Sequence, residues 1–121
     1  MLQAIHTAAT AEAMVLTQKA GINPEVLHEV ISKSVGRSFV FETKAVQLMD
    51  RDFVTRGALD LNVKDLGIAL EMGKELGVPL YVTSIVREVF STAQAKGYGN
   101  EDFCAVAKIY EEIAKCEIHR L

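Results

Sequence analysis

The chain has 121 residues, 50% of them hydrophobic and 24% charged, which is enough for one domain (residues 1–121) with its own core. Thirteen Lys and Arg against sixteen Asp and Glu leave a net charge of −3. No basic stripe with interleaved aromatics is present, so nucleic acid is not an expected partner, and no apolar run of membrane-spanning length or secretory leader pattern appears, so no membrane is expected either.

Cys104 and Cys116 are the only cysteines; their spacing matches no metal motif, and they read as reduced thiols of a cytoplasmic protein. The expected fold class is all-α, a single unit of roughly six helices at about 3.6 residues per turn.

The first helix runs from Met1 to Ala20 and is ended by Gly21. Gln3, His6, Thr7 and Thr10 recur at helical spacing and make one polar stripe on an otherwise apolar rod. Such a stripe borders either a wet cleft or ordinary solvent. His6 is its best candidate for touching a substrate, or else a hydrogen-bonded core histidine. Asn23-Pro24 is a cap followed by a first-turn proline. The helix it starts reaches about Ser34, burying Val26, Leu27, Val30 and Ile31 and turning His28 to solvent.

Val35-Gly36-Arg37-Ser38 breaks that helix, and a third runs from about Phe39 to Met49 with Ser38 as its N-cap. Arg37, Ser38 and a helix N-terminus together suit a carboxylate; the alternative is a plain loop with an exposed arginine. Asp50-Arg51-Asp52 is a polar turn.

Arg56 to Gly77 reads as the long helix around which the rest is organised. Leu59, Val63, Leu66 and Leu70 form one buried stripe, with Leu61, Ile68, Met72 and Leu76 as a second apolar set beside it. Gly77-Val78-Pro79 stops it. Asp60 and Lys64 have the spacing and order of a favourable helical ion pair. Lys64 is then either a surface lysine or a cation held in a polar cleft.

Pro79 opens a helix to about Lys96 with Leu80, Ile85, Val86, Val89 and Phe90 facing inward. Tyr81 and Tyr98 are either packed or cleft-lining. The Gly97-Tyr98-Gly99 loop has neither the preceding strand nor the third glycine of a nucleotide fingerprint. Asn100 or Asp102 caps a last helix with Phe103, Val106, Ile109, Tyr110 and Ile113 on its inner face, and Lys115 to Leu121 is expected to fray.

The run FVTRGALDLNVKDLGIAL, Phe53 to Leu70, resembles the lysine-aspartate helix of the β-hydroxyacid dehydrogenase family. GVPL (Gly77 to Leu80), AKGYGNED (Ala95 to Asp102) and AEAMVLTQKAG (Ala11 to Gly21) extend the likeness in order over nearly the whole chain. The ALDLNVKDLG segment and AVAKIYE (Ala105 to Glu111) are most similar to the L-threonate dehydrogenase branch. The resemblance implies an NAD(P)-dependent enzyme oxidising the hydroxyl of a small hydroxy acid, L-threonate or 3-hydroxyisobutyrate-like.

It also implies that this chain corresponds to the helical C-terminal domain of such an enzyme, of the 6-phosphogluconate dehydrogenase type. The dinucleotide-binding domain and the catalytic lysine of a K-x-x-N motif are expected upstream of Met1, with no catalytic residue and no cofactor binding in the fragment itself. By the same resemblance Lys64 and Asp65 meet the NAD or NADP, while Gln3, His6, Arg37, Ser38, Asp60 and Lys64 line the substrate side, with Asp60 tethering Lys64. Gly57 departs from the aromatic residue that members often carry there. A homodimer or higher homo-oligomer is expected. The alternative function is a non-catalytic helical association module, or a free-standing paralogue lacking the nucleotide domain.

Overall fold

In the computed structural model, which describes residues 1–121, six α-helices follow one another: α1 Leu2–Lys19, α2 Pro24–Ser32, α3 Phe39–Met49, α4 Leu59–Leu76, α5 Tyr81–Ala93 and α6 Ala107–Ala114. The segment Gln94–Tyr98 follows α5 and kinks at Gly97, φ +93°, and a 3₁₀ turn, Phe103–Val106, precedes α6. The fold is all-α; its one β-type contact is an isolated bridge between Ala58 and Asp102.

The central element is α1 rather than α4. Its Ala4, Ala8 and Ala11 are buried small residues that let neighbouring backbones come close, and it packs against α2, α3, α5, α6 and the 3₁₀ turn. Two apolar clusters lie along it. Ala4 and Ala8 join Leu59, Val63, Leu66, Val86, Phe90 and Phe103; further along, Ala11, Met14 and Val15 join Phe41, Leu48, Met49, Cys104 and Ile118. Thr7 and Thr10 belong to this buried face, not to a wet stripe. Their hydroxyls donate to the carbonyls of Gln3 (2.8 Å) and His6 (2.7 Å), so neither needs water.

Capping follows the sequence closely at three places. The Asn23 side chain accepts from the N–H of Glu25, Ser38 Oγ from that of Phe41, and Asp102 from that of Cys104. Gly77 takes the left-handed conformation that ends α4, φ +69°. The start of α4 differs from expectation. It begins at Leu59, not Arg56, and has no side-chain cap; the N–H groups of Leu59 and Asp60 donate instead to the carbonyls of Glu101 and Gly99.

Several faces expected to be inside lie outside. Leu61, Ile68, Met72 and Leu76 on α4 are all more than half exposed, as are Val26 and Val30 on α2, Ile85 on α5 and Ile113 on α6. One helix presents one stripe to one core, and α4 already uses Leu59, Val63 and Leu66 for that contact. His28 is half-buried: its Nε2 meets the carbonyl of Glu42 at 2.9 Å and its ring stacks on Phe41.

The C-terminal tail is docked rather than frayed. Ile118 is fully buried, its N–H donates to Glu111 at 2.7 Å, and Arg51 bridges the Glu111 carboxylate and the Ile118 carbonyl. Arg120 then pairs with Asp50 and Glu25. Arg51 takes a left-handed backbone, φ +55°, which turns the chain after α3.

Candidate functional site

The α4 helix carries most of the charge of interest. Asp60 sits in its first turn, but its carboxylate does not meet Lys64. Gln94 donates to it at 2.8 Å, and it lies so close to Gly99 that a β-carbon there would stand 2.2 Å from Oδ1. The second glycine of the Gly97-Tyr98-Gly99 loop is therefore required by this carboxylate, not by a phosphate. Lys64 instead has its neighbour Asp65 as nearest acid, 3.6 Å away, and both side chains are more than 60% exposed. The expected Asp60–Lys64 tether is absent because the folded-back loop draws Asp60 toward the start of the helix.

Lys64 lines a cavity of about 580 Å³ with Gly67, Glu71 and Lys74 of α4 and Arg87 of α5. A second cavity, about 410 Å³, brings together three residues singled out by the sequence, His6, Arg37 and Ser38, against the apolar wall of Leu27, Ile31 and Phe41. The two cavities share no residue. Gln3 is exposed and lines neither, and Asp60 lines neither. Ser38 serves as the α3 cap at the same time, its Oγ 3.0 Å from the Phe41 N–H. Tyr81 is 78% exposed, whereas Tyr98 packs under the Lys108 ammonium, 4.6 Å from its ring centre.

The strongest polar constellation was not visible in the sequence. Lys44 on α3 and Asp102 before the 3₁₀ turn form a buried ion pair, Nζ to Oδ1 2.9 Å, with side chains 8% and 0% exposed. Asp102 also accepts from the N–H groups of Arg56 (3.0 Å) and Cys104 (3.0 Å), and its own N–H donates to the Phe53 carbonyl. Lys44 donates further to Gln47 Oε1 at 2.6 Å and stands 4.1 Å above the centre of the Phe103 ring. Burial alone would raise the Asp102 carboxyl, but the Cys104 N–H, Lys44 and the Arg56 N–H hold it below the ordinary aspartate range.

This cluster fixes the segment leading into α4, and so aims the helix that carries Lys64. The Phe103 ring lies against Gly57, where a β-carbon would begin 3.2 Å from a ring carbon. An aromatic residue at 57 would have to displace Phe103.

The Cys104 thiol is buried against Asp102, and desolvation followed by that negative charge pushes it far above the usual thiol range, so it is no nucleophile. Tyr110 is pushed up to about 12 by burial and then by the nearby Glu12 carboxylate. No helix is long and apolar enough to cross a membrane.

Residues 1–110 match the family model described as NAD-binding of NADP-dependent 3-hydroxyisobutyrate dehydrogenase. Over 93% of its length the chain is 44% identical to 2-(hydroxymethyl)glutarate dehydrogenase of Eubacterium barkeri and 39% identical to L-threonate dehydrogenase of Escherichia coli K12. It spans only 38% and 37% of those relatives. Among solved structures, a crystal structure of 3-hydroxyisobutyrate dehydrogenase from Salmonella typhimurium superposes with a TM-score of 0.86 at 41% identity, over 89% of this chain and 38% of that one. The lysine-aspartate helix, the docked loop before it and the all-helical architecture thus have one origin: the chain belongs to the 3-hydroxyisobutyrate dehydrogenase family of β-hydroxyacid dehydrogenases.

Proposed function

We propose that this chain is the helical C-terminal part of an NAD(P)-dependent dehydrogenase that oxidises the hydroxyl of a small hydroxy acid, L-threonate or a 3-hydroxyisobutyrate-like acid. The observation that carries the reading is the 44% and 39% identity, over nearly the whole chain, to two enzymes named as dehydrogenases of hydroxy acids. In this reading the dinucleotide-binding domain and the catalytic lysine precede Met1, and the enzyme works in the cytoplasm.

The residues present fit one wall of a cofactor site and not a whole one. No strand–glycine-rich turn–helix unit exists in α1–α6 to cradle a pyrophosphate. What the chain offers is an exposed cation, Lys64, with Asp65 beside it, on a helix whose first turn is locked by the 99–102 loop. A bound nicotinamide would supply the hydride acceptor. Lys64 would hold negative charge of substrate or cofactor at a fixed place, and Asp65 would keep the ammonium oriented. His6, Arg37 and Ser38 would receive a substrate carboxylate, with a guanidinium fork and the Ser38 hydroxyl as donors and the wall of Leu27, Ile31 and Phe41 excluding water. Gln3 and Asp60 would act at the margin, Asp60 through the placement of the α4 terminus. In this reading the chain supplies binding groups, while the general acid-base lysine and the nicotinamide cradle belong to the rest of the enzyme.

A second role is favoured by one observation: Leu61, Ile68, Met72, Leu76, Tyr81 and Ile85 are all at least half exposed on adjoining helices α4 and α5. A face of that kind suits subunit association, most simply a two-fold dimer. The test of the main reading is an assay of the full-length parent with NAD and NADP against L-threonate, 3-hydroxyisobutyrate and 2-(hydroxymethyl)glutarate. Turnover of at least one is expected; turnover of none, with the protein folded, overturns it.

A further inference from the structure

Lys64, Gly67, Glu71 and Lys74 succeed one another at helical spacing on one face of α4, and Arg87 of α5 reaches the same cavity. Arg87 packs against Gly67, where a β-carbon would make ordinary contact with it, 3.5 Å from Nε and 3.6 Å from Nη2. Yet Arg87 Nε is buried with no hydrogen-bond partner, and no ion pair in the chain includes Arg87, Lys74 or Glu71. The contrast is with Arg51, Arg56 and Arg120, each of which faces a carboxylate. A buried donor without an acceptor is costly, and most such groups in proteins find a partner. Three cations face one acid, Glu71, in this cavity, although the chain as a whole is negative, −3.

We propose that this cavity is a binding site for a dianionic oxyanion, a phosphate group or a dicarboxylate, held by Arg87 and Lys74 with Lys64 as a third cation. The guanidinium supplies a planar pair of donors, one of them already desolvated, and each ammonium adds a point charge. Arg87 and Lys74, neither of them in an ion pair, supply two positive charges for a dianion, while Glu71 opposes it and Lys64 is already partly neutralised by Asp65. The site shares Lys64 with the wall assigned to cofactor and substrate, but its two principal donors, Arg87 and Lys74, have no part in the dehydrogenase reading.

The test is a titration of the 121-residue chain by two-dimensional NMR with inorganic phosphate and, separately, succinate, against sodium chloride at matched ionic strength. Saturable shifts centred on Gly67, Glu71 and the Arg87 Nε–H are expected. Arg87→Gln should weaken binding about tenfold or more, and Lys74→Gln severalfold. Glu71→Gln should tighten it without lowering the melting temperature. Lys33→Gln, just past the end of α2 and paired with Glu29 outside the cavity, should leave it unchanged. A response to phosphate alone identifies a phosphate group as the ligand, to succinate alone a dicarboxylate, and to both a general dianion site. Shifts no larger than those in chloride, or an unchanged Kd in Arg87→Gln and Lys74→Gln, overturn the proposal. So does a fall in melting temperature in Glu71→Gln, which would make Glu71 the partner of Arg87 in solution. A failed titration leaves the enzyme assay untouched, and a failed assay leaves the titration untouched.

Discussion

Replacing Asp102 by Asn isolates the buried hub. The substitution keeps the size and one acceptor oxygen, but leaves the Lys44 ammonium, 8% exposed, without a counter-charge. Breaking a buried ion pair from one side costs about 3–5 kcal/mol. Asn still accepts from one of the two backbone donors, Arg56 N–H or Cys104 N–H, which restores about 1 kcal/mol. The expected net loss is about 3 kcal/mol, or roughly 10–15 °C in Tm for a domain of this size.

The pH dependence follows from the same group. The folded carboxyl titrates below its unfolded value, so its contribution is complete above the unfolded aspartate pKa, about 3.9, and is lost as pH falls through the folded one. The variant should therefore differ from the parent sequence at pH 7 and converge with it in strong acid. Urea unfolding followed by far-UV circular dichroism at several pH values measures both. A loss under about 1 kcal/mol at pH 7, or a difference that persists unchanged below the carboxylate range, refutes the assigned role of the pair.

Other consequences are equally direct. Glu111→Gln should release the tail from Arg51 and the Ile118 N–H, at about 2 kcal/mol, with faster hydrogen exchange at residues 116–121. Sedimentation of the 13.3 kDa chain should show self-association at micromolar concentration, and Met72→Asp, on the exposed α4 face, should abolish it. Calorimetric titration of the 121-residue chain should find no micromolar affinity for NAD or NADP.

The parts of the fold that local chemistry specifies were legible in the chain. Asn23, Ser38, Asp102 and Gly77 mark helix ends because their side chains, or the lack of one, act on backbone groups a few residues away. What escaped is whatever depends on distant partners. Lys44 and Asp102 are 58 positions apart, and no periodicity links a lysine on an amphipathic helix to an acid in a loop. The same holds for Arg51 and Glu111, which turn an apparently loose tail into a docked one.

Hydrophobic spacing on α4 marked the Leu59, Val63 and Leu66 stripe that the core covers, but it carried no information about whether the second set beside it is covered too. Of the site residues, the resemblance put Gln3, His6, Arg37, Ser38, Asp60 and Lys64 together on the substrate side. The structure groups His6 with Arg37 and Ser38, and places Lys64 with Lys74 and Arg87. Family resemblance supplied the lysine-aspartate helix and the proposal of a hydroxy acid; helix spacing alone left Lys64 open to a surface reading.

The most direct measurement of the central claim is the steady-state kinetics of Lys64→Ala in the full-length parent, followed by nicotinamide absorbance with its preferred hydroxy acid. Lys64 is exposed and loosely paired, so the fold should lose about 1 kcal/mol or less. If the lysine fixes negative charge in the reacting cleft, kcat/KM falls on the order of 10²-fold, equivalent to about 3 kcal/mol of transition-state stabilisation. Lys64→Arg restores little, since a planar fork does not replace a compact ammonium. A Lys64→Ala enzyme with kcat/KM near that of the parent would contradict the account and make Lys64 a surface lysine.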